Sequence, residues 1–370
     1  MSGLSHRERV LMTLNHQQPD RVPMDMLGNA TMLLDETYFR LRDYLGLEPI
    51  EPVRSGSSAN YYDERILEHL DIDFRRVFLK KAAANQLTYH EDGSYTDAWG
   101  IRYQQHGIYV NIMQSPMQNV QDIEAVEAFP WPKAEDLYTA GETAAQAKRL
   151  FEETDYAVVA RNPLTPGFLD LGSYLVGMAD FLMLLALKPE VAERIIAHIL
   201  EIYKGVYSIF LDAVGPYVQI VEVADDLGGQ QQPLISPRMF RQLINPAEKE
   251  LYTMIHEKAP DAFIVHHSDG NIFKIIPDLV EAGVNILNPV QTSTQGMDAA
   301  LLKETYGQMI SFHGAIEKMA APKDELVAEV KEKCRILGDG GGYILASCNH
   351  MIDVAPENII TMFETARQCS

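Results

Sequence analysis

The stretch FIVHHSDGNIFKIIPDLVEAGVNILNP, from Phe263 to Pro289, decides the fold. Phe263, Ile264 and Val265 form a β-branched and aromatic run that reads as a buried strand. The chain then turns polar through His266, His267, Ser268, Asp269, Gly270 and Asn271. Ile272, Ile275, Ile276, Leu279 and Val280 recur at helical spacing, and Gly283 closes that helix before a second strand from Val284 to Leu287. This is one β-α-β unit, with reactive groups at the turn where its first strand ends.

The same alternation continues outward in both directions. Strands are expected at Val22–Met26, ending in Asp25, Gly28 and Asn29, and at Asp73–Leu79, ending in Lys80 and Lys81. Others are expected at Tyr156–Ala160 before Arg161, and at Val218–Val223 before Asp225, Asp226, Gly228 and Gly229. Met309–Phe312 leads to His313, and Tyr343–Ala346 leads to Ser347, Cys348, Asn349 and His350. Helical patterns separate them, among them Asp136–Glu152, Pro189–Val214, a helix from Ser236 to His256 interrupted near Pro246, and Lys323–Leu337. Roughly eight strands alternating with helices favour a (β/α)8 TIM barrel over an open doubly wound sheet, and no G-x-G-x-x-G turn marks a dinucleotide site. The whole chain, residues 1–370, reads as one such α/β domain. An N-terminal helix within about residues 1–20, with Ser5 and Glu8 at capping-box spacing, is expected to cover one end of the core. Alternating Tyr95, Trp99, Ile101, Tyr103 and Tyr109 predict a β insertion over about residues 89–111.

Composition narrows the partners. The formal charge of −21 argues against nucleic acid, which is bound through clustered Lys and Arg. No apolar run approaches the roughly 20 residues of a membrane span, and MSGLSHRERV is too polar for a signal peptide, so a cytoplasmic protein is expected. Three cysteines, Cys334, Cys348 and Cys369, do not suggest a disulfide framework.

Barrel active sites lie at the carboxyl ends of the strands, where Asp25, Lys80, Arg161, Asp225, Asp226, His267, Asp269, Asn288, His313 and Cys348 accumulate. His267, Asp269 and Cys348 would make an open zinc site with one position left for substrate. Equally, Asp269 could cap the following helix and Cys348 could fill space. Asp225 and Asp226 could supply a general acid or base, or simply cap a turn. Arg161 and Lys80 would complement an anionic group, and His313 could donate a hydrogen bond to substrate.

Several of these residues sit in longer motifs: RERVLMTLNHQQPDRVPMD at the start, DDLGGQQQPLISPRMFRQLINP from Asp225, HSDGNIFKIIPDLVEAGVNILNPVQ from His267, FHGAI from Phe312, and GGGYILASCNH before PENI. With them the chain resembles the uroporphyrinogen decarboxylase superfamily, and more closely its methyltransferase-like branch, which serves corrinoid-dependent methyl transfer. The resemblance covers nearly the whole chain. True decarboxylases of that superfamily carry an arginine-rich segment that grips substrate carboxylates, whereas the corresponding region here, MDMLGNATML, contains no arginine. Zinc-dependent members place a His-x-Cys pair after one strand and a Cys after the last; here the first motif is His267-Ser268-Asp269, and Cys348 matches the final ligand. The resemblance implies a methyltransferase that moves a methyl group between a small methylated compound, such as a methyl ether or methylamine, and the corrinoid of a partner protein. The resemblance implies His267, Asp269 and Cys348 as zinc ligands; of the other strand-end residues, Asp226 and Asp225 together with His267 are expected to be catalytic, and Asp25, Arg161, Asn288 and His313 to bind substrate. A cofactor-free decarboxylase and a non-catalytic ligand-binding barrel are the alternatives.

Overall fold

The computed structural model describes residues 3–26, 28, 31–50, 63–107, 109–164 and 166–369; the expected strand-end residue Asn29 and positions 51–62 lie outside them. Seven parallel strands are hydrogen-bonded in chain order: β1 (Phe74–Val77), β2 (Ala157–Ala160), β3 (Ile220–Ala224), β4 (Phe263–His267), β5 (Ile286–Asn288), β6 (Ser311–Ile316) and β7 (Tyr343–Ser347). The segment around Met24 joins the two edges into a ring. Leu345 donates its N–H to Pro23 O and Asp25 donates to Leu345 O, both at 2.9 Å, while Asp73 on the other side donates to Met24 O at 3.0 Å. This eighth stave is shorter than the expected Val22–Met26 strand, since only Met24 forms a bridge. Pro23 has no N–H to give, and the Met24 N–H goes to the Asp73 carboxylate at 2.7 Å instead of to a neighbouring strand.

Alternate residues of these strands point inward. Phe74, Ala157, Val159, Ile220, Ile286 and Ile344 fill the amino end of the barrel together with Val10 and Leu14 of the helix His6–Leu14. That helix starts with the expected reciprocal cap between Ser5 and Glu8. Burying Val10 and Leu14 stabilises the plug by about 2 kcal/mol per side chain, so Leu14→Asp would open this end. One residue pair further along the strands the inward side chains become polar, and the apolar floor ends.

One expectation is corrected outside the barrel. Lys80 and Lys81 do not stand at the barrel mouth: both are exposed and pair antiparallel with Tyr138–Thr139, because β1 ends at Val77. The β insertion is a four-stranded antiparallel sheet built from Thr88–Tyr89, Tyr95–Thr96, Arg102–His106 and Tyr109–Gln114. No single helix among the described residues is long and apolar enough to cross a membrane.

Candidate functional site

The polar layer begins where β1 turns Arg76 into the lumen. Arg76 holds both oxygens of Asp25, at 2.6 and 2.9 Å, and Glu222 of β3 at 3.0 Å. Arg161, just past β2, pairs with the other Glu222 oxygen at 3.1 Å. Burial alone would push the Asp25 carboxyl up, but the Arg76 charge, aided by His313, holds it well below the usual carboxylate range. His313 Nε2 lies 2.8 Å from Asp25 Oδ2, Asn288 Nδ2 meets His313 Nδ1, and Asn288 Oδ1 lies 2.8 Å from His267 Nδ1. Asp25, Asn288 and His313, expected to bind substrate, are thus brought together in the lumen and spend their polar atoms on one another and on Arg76 and His267.

Above this layer lies a cleft with room for about 300 Å³ of solvent, lined by Met32, Arg161, Asp170, Tyr174, Asp226, His267 and His350 among others. Two loops press together to form its acidic wall. A side chain at Gly228 would collide with Asp269 O at 2.3 Å, and Gly270, at φ +80°, sits 2.7 Å from the Gly228 backbone by the same measure. Only glycines permit this approach. It lets the Asp269 N–H donate to Asp226 Oδ1 at 2.9 Å, and it brings ligand atoms of Asp226, His267 and Asp269 within 4.8 Å of one another. His267 Nε2 stands 3.6 Å from Asp226 Oδ1, and the Asp226 side chain is 43% exposed.

Asp170 completes the wall. Gly167 has no room for a side chain against Ala224 O and Asp225, so Asp225 lies tight under the helix Phe168–Val176. There it accepts the backbone N–H groups of Leu169 and Asp170 at 2.9–3.1 Å. Asp225 is therefore a fully buried cap and does not line the cleft. Asp170 in turn accepts the Asp226 N–H at 3.0 Å, and burial together with the Asp226 charge pushes its carboxyl up to about 7. Burial also raises the Asp269 carboxyl and lowers the His350 imidazole to about 4. Asp170, Arg76 and Tyr174 are site residues that sequence reasoning missed. The one available signal for Asp170 was a single carboxylate in the apolar run GFLDLGSYLV.

Three of the expected groups converge, and one does not. Asp226, His267 and Asp269 suit a divalent cation: two carboxylate oxygens and an imidazole nitrogen are ordinary ligands for zinc and for harder ions. Asp269 Oδ1 is buried without a hydrogen-bond partner among the described residues, as an oxygen awaiting a cation would be. Cys348 stands outside this group. Its fully buried thiol lies 3.8 Å from Val290 O, and burial, reinforced by the Glu317 charge, raises its pKa well above that of an ordinary thiol.

The uroporphyrinogen decarboxylase (URO-D) family profile matches residues 98–369. Among solved structures, a methyltransferase from Methanosarcina mazei is similar over 99% of both chains, at 18% identity and a TM-score of 0.69. Native xylanase 10B from Thermotoga maritima is similar over 61% of this chain and 79% of its own, at 13% identity and a TM-score of 0.35, too distant to inform the site. No curated protein matches the sequence. The methyltransferase shares the fold from end to end, and the profile takes in well over half of the chain, including every strand from β2 to β7: the protein belongs to the uroporphyrinogen decarboxylase family.

Proposed function

We propose that the protein is a methyltransferase of a corrinoid-dependent demethylation system, moving a methyl group between a small methylated compound and the corrinoid of a partner protein. The observation that carries the reading is the convergence of Asp226, His267 and Asp269 at the edge of an open cleft. A divalent cation held there, zinc being the first choice, would act as a Lewis acid on the heteroatom that bears or receives the methyl group. The chain's own groups supply the rest. Asp170, with a carboxyl near neutrality, can hold or release the proton that balances charge on that heteroatom. His350, kept neutral by burial, offers a hydrogen bond without adding charge. Acid–base work falls to Asp170 in this scheme, Asp226 helps to hold the cation, and Asp225 keeps the helix end in place.

Decarboxylation of a polycarboxylate is the weaker reading, because Asp170 and Asp226 line the cleft with Asp269 close to Asp226, while Arg76 and Arg161 are engaged by Asp25 and Glu222. The reading is tested anaerobically by following cobalamin spectra with the zinc-loaded protein. Cob(I)alamin is offered with a panel of methoxylated aromatics and methylamines, and methylcobalamin with thiols. Methylcobalamin formation or consumption is expected, and it should be lost in Asp226→Asn. A folded, zinc-loaded protein that drives neither direction with any member of the panel would contradict the proposal.

A further inference from the structure

Four successive side-chain contacts link Arg76 to His267 through Asp25, His313 and Asn288. Arg76 keeps Asp25 an anion that can only accept, so His313 must present Nε2–H to it at 2.8 Å. His313 Nδ1 in turn faces the amide NH2 of Asn288, a donor, so that nitrogen accepts. That fixes the Asn288 orientation, with Oδ1 turned toward His267. An amide oxygen only accepts, so His267 must carry its proton on Nδ1.

We infer that Asn288, His313 and Asp25 are positioning residues: the relay Arg76–Asp25–His313–Asn288 holds His267 as the Nδ1–H tautomer and aims its Nε2 lone pair at Asp226 and Asp269. The inference builds on the reading of His267 as the nitrogen ligand of the cleft. It adds that ligand strength and direction are set from inside the lumen. His267 is also barred from swinging away, since β4 fixes its backbone and Asn288 fixes its ring.

The test reads protons directly, in metal-free protein without any methyl donor. Protein labelled with 15N-histidine is examined by long-range 1H–15N correlation at pH 8, and His267→Gln and His313→Gln assign the two rings. His267 should show a pyrrole-type Nδ1 and a pyridine-type Nε2, and His313 the reverse. Asn288→Asp should leave the His267 pattern unchanged, because a carboxylate still accepts from Nδ1–H, while altering that of His313. Asn288→Leu should give an averaged His267 pattern and weaken zinc affinity about 10- to 100-fold. A wild-type His267 protonated on Nε2, or an Asn288→Leu protein with an unaltered His267, would overturn the relay. If Asn288→Leu does not fold, the wild-type and Asn288→Asp spectra decide alone. An intact relay in a protein without methyl transfer would defeat only the proposed function, and methyl transfer with the opposite tautomer would defeat only the relay.

Discussion

The lumen and the cleft are stacked along one barrel, yet they handle charge in opposite ways. In the lumen Asp25 and Glu222 are matched by Arg76 and Arg161, and Asn288 and His313 extend the network by hydrogen bonds. In the cleft Asp170, Asp226 and Asp269 crowd together around one imidazole, and a buried carboxylate oxygen is left without a partner among the described residues. The first arrangement minimises the cost of burying charge, so it serves the fold and orients what lies above it. The second retains an electrostatic deficit that only a bound cation or a proton can relieve, and such a deficit marks a site where something binds.

That contrast is open to direct attack. Arg76→Met should have the largest effect, about 3–5 kcal/mol of stability lost in urea titration, because it strands Asp25 and one oxygen of Glu222 in the lumen. A loss below 1 kcal/mol would mean that the lumen does not depend on charge matching. Asp269→Asn should act in the other sense. It removes a buried anion, so stability in the metal-free protein rises by about 1 kcal/mol, while zinc affinity measured by competition falls about 100-fold. A stability loss there would show that the cleft carboxylates are structural.

Asp170 gives the pH signature of the cleft. Its folded-state pKa lies above the ordinary value of 3.8, at about 7, so the folded protein holds a proton that the unfolded chain has released. Stability attributable to this group is full below 3.8, falls as pH rises toward 7, and levels above it. The difference in stability between Asp170→Asn and wild type should therefore grow by about 3–4 kcal/mol in favour of the variant between pH 4 and pH 7.5. A difference independent of pH would remove Asp170 from the acidic wall. Cys348→Ala should have the smallest effect on binding, with zinc affinity changed less than about threefold, because its thiol faces Val290 O instead of the cluster.

The sequence carried the barrel plainly, because fully buried parallel strands leave unbroken apolar runs such as YAVVA and GYILA, each followed by polar residues. The cleft motifs DDLGG and HSDG were also legible, since paired acids beside glycines signal tight loops at strand ends. Their meeting was not: contact between Gly228 and Gly270 joins residues far apart in the chain. Arg76 escaped notice because β1 was expected to run to Leu79, which put Lys80 and Lys81 at the mouth. The period-two register from Phe74 would have turned Arg76 inward. Cys348 was placed among the ligands by analogy with a motif whose other half reads Asp269 here, and the depth of its burial could not be seen from spacing.

The central claim is that Asp226, His267 and Asp269 bind a divalent cation without help from Cys348. The most direct measurement is elemental analysis of protein purified anaerobically in the presence of zinc, as wild type, His267→Ala and Cys348→Ala. The account requires about one zinc per chain in the wild type and in Cys348→Ala, and none in a folded His267→Ala. Metal absent from all three, or lost on replacing Cys348 and kept on replacing His267, would contradict it.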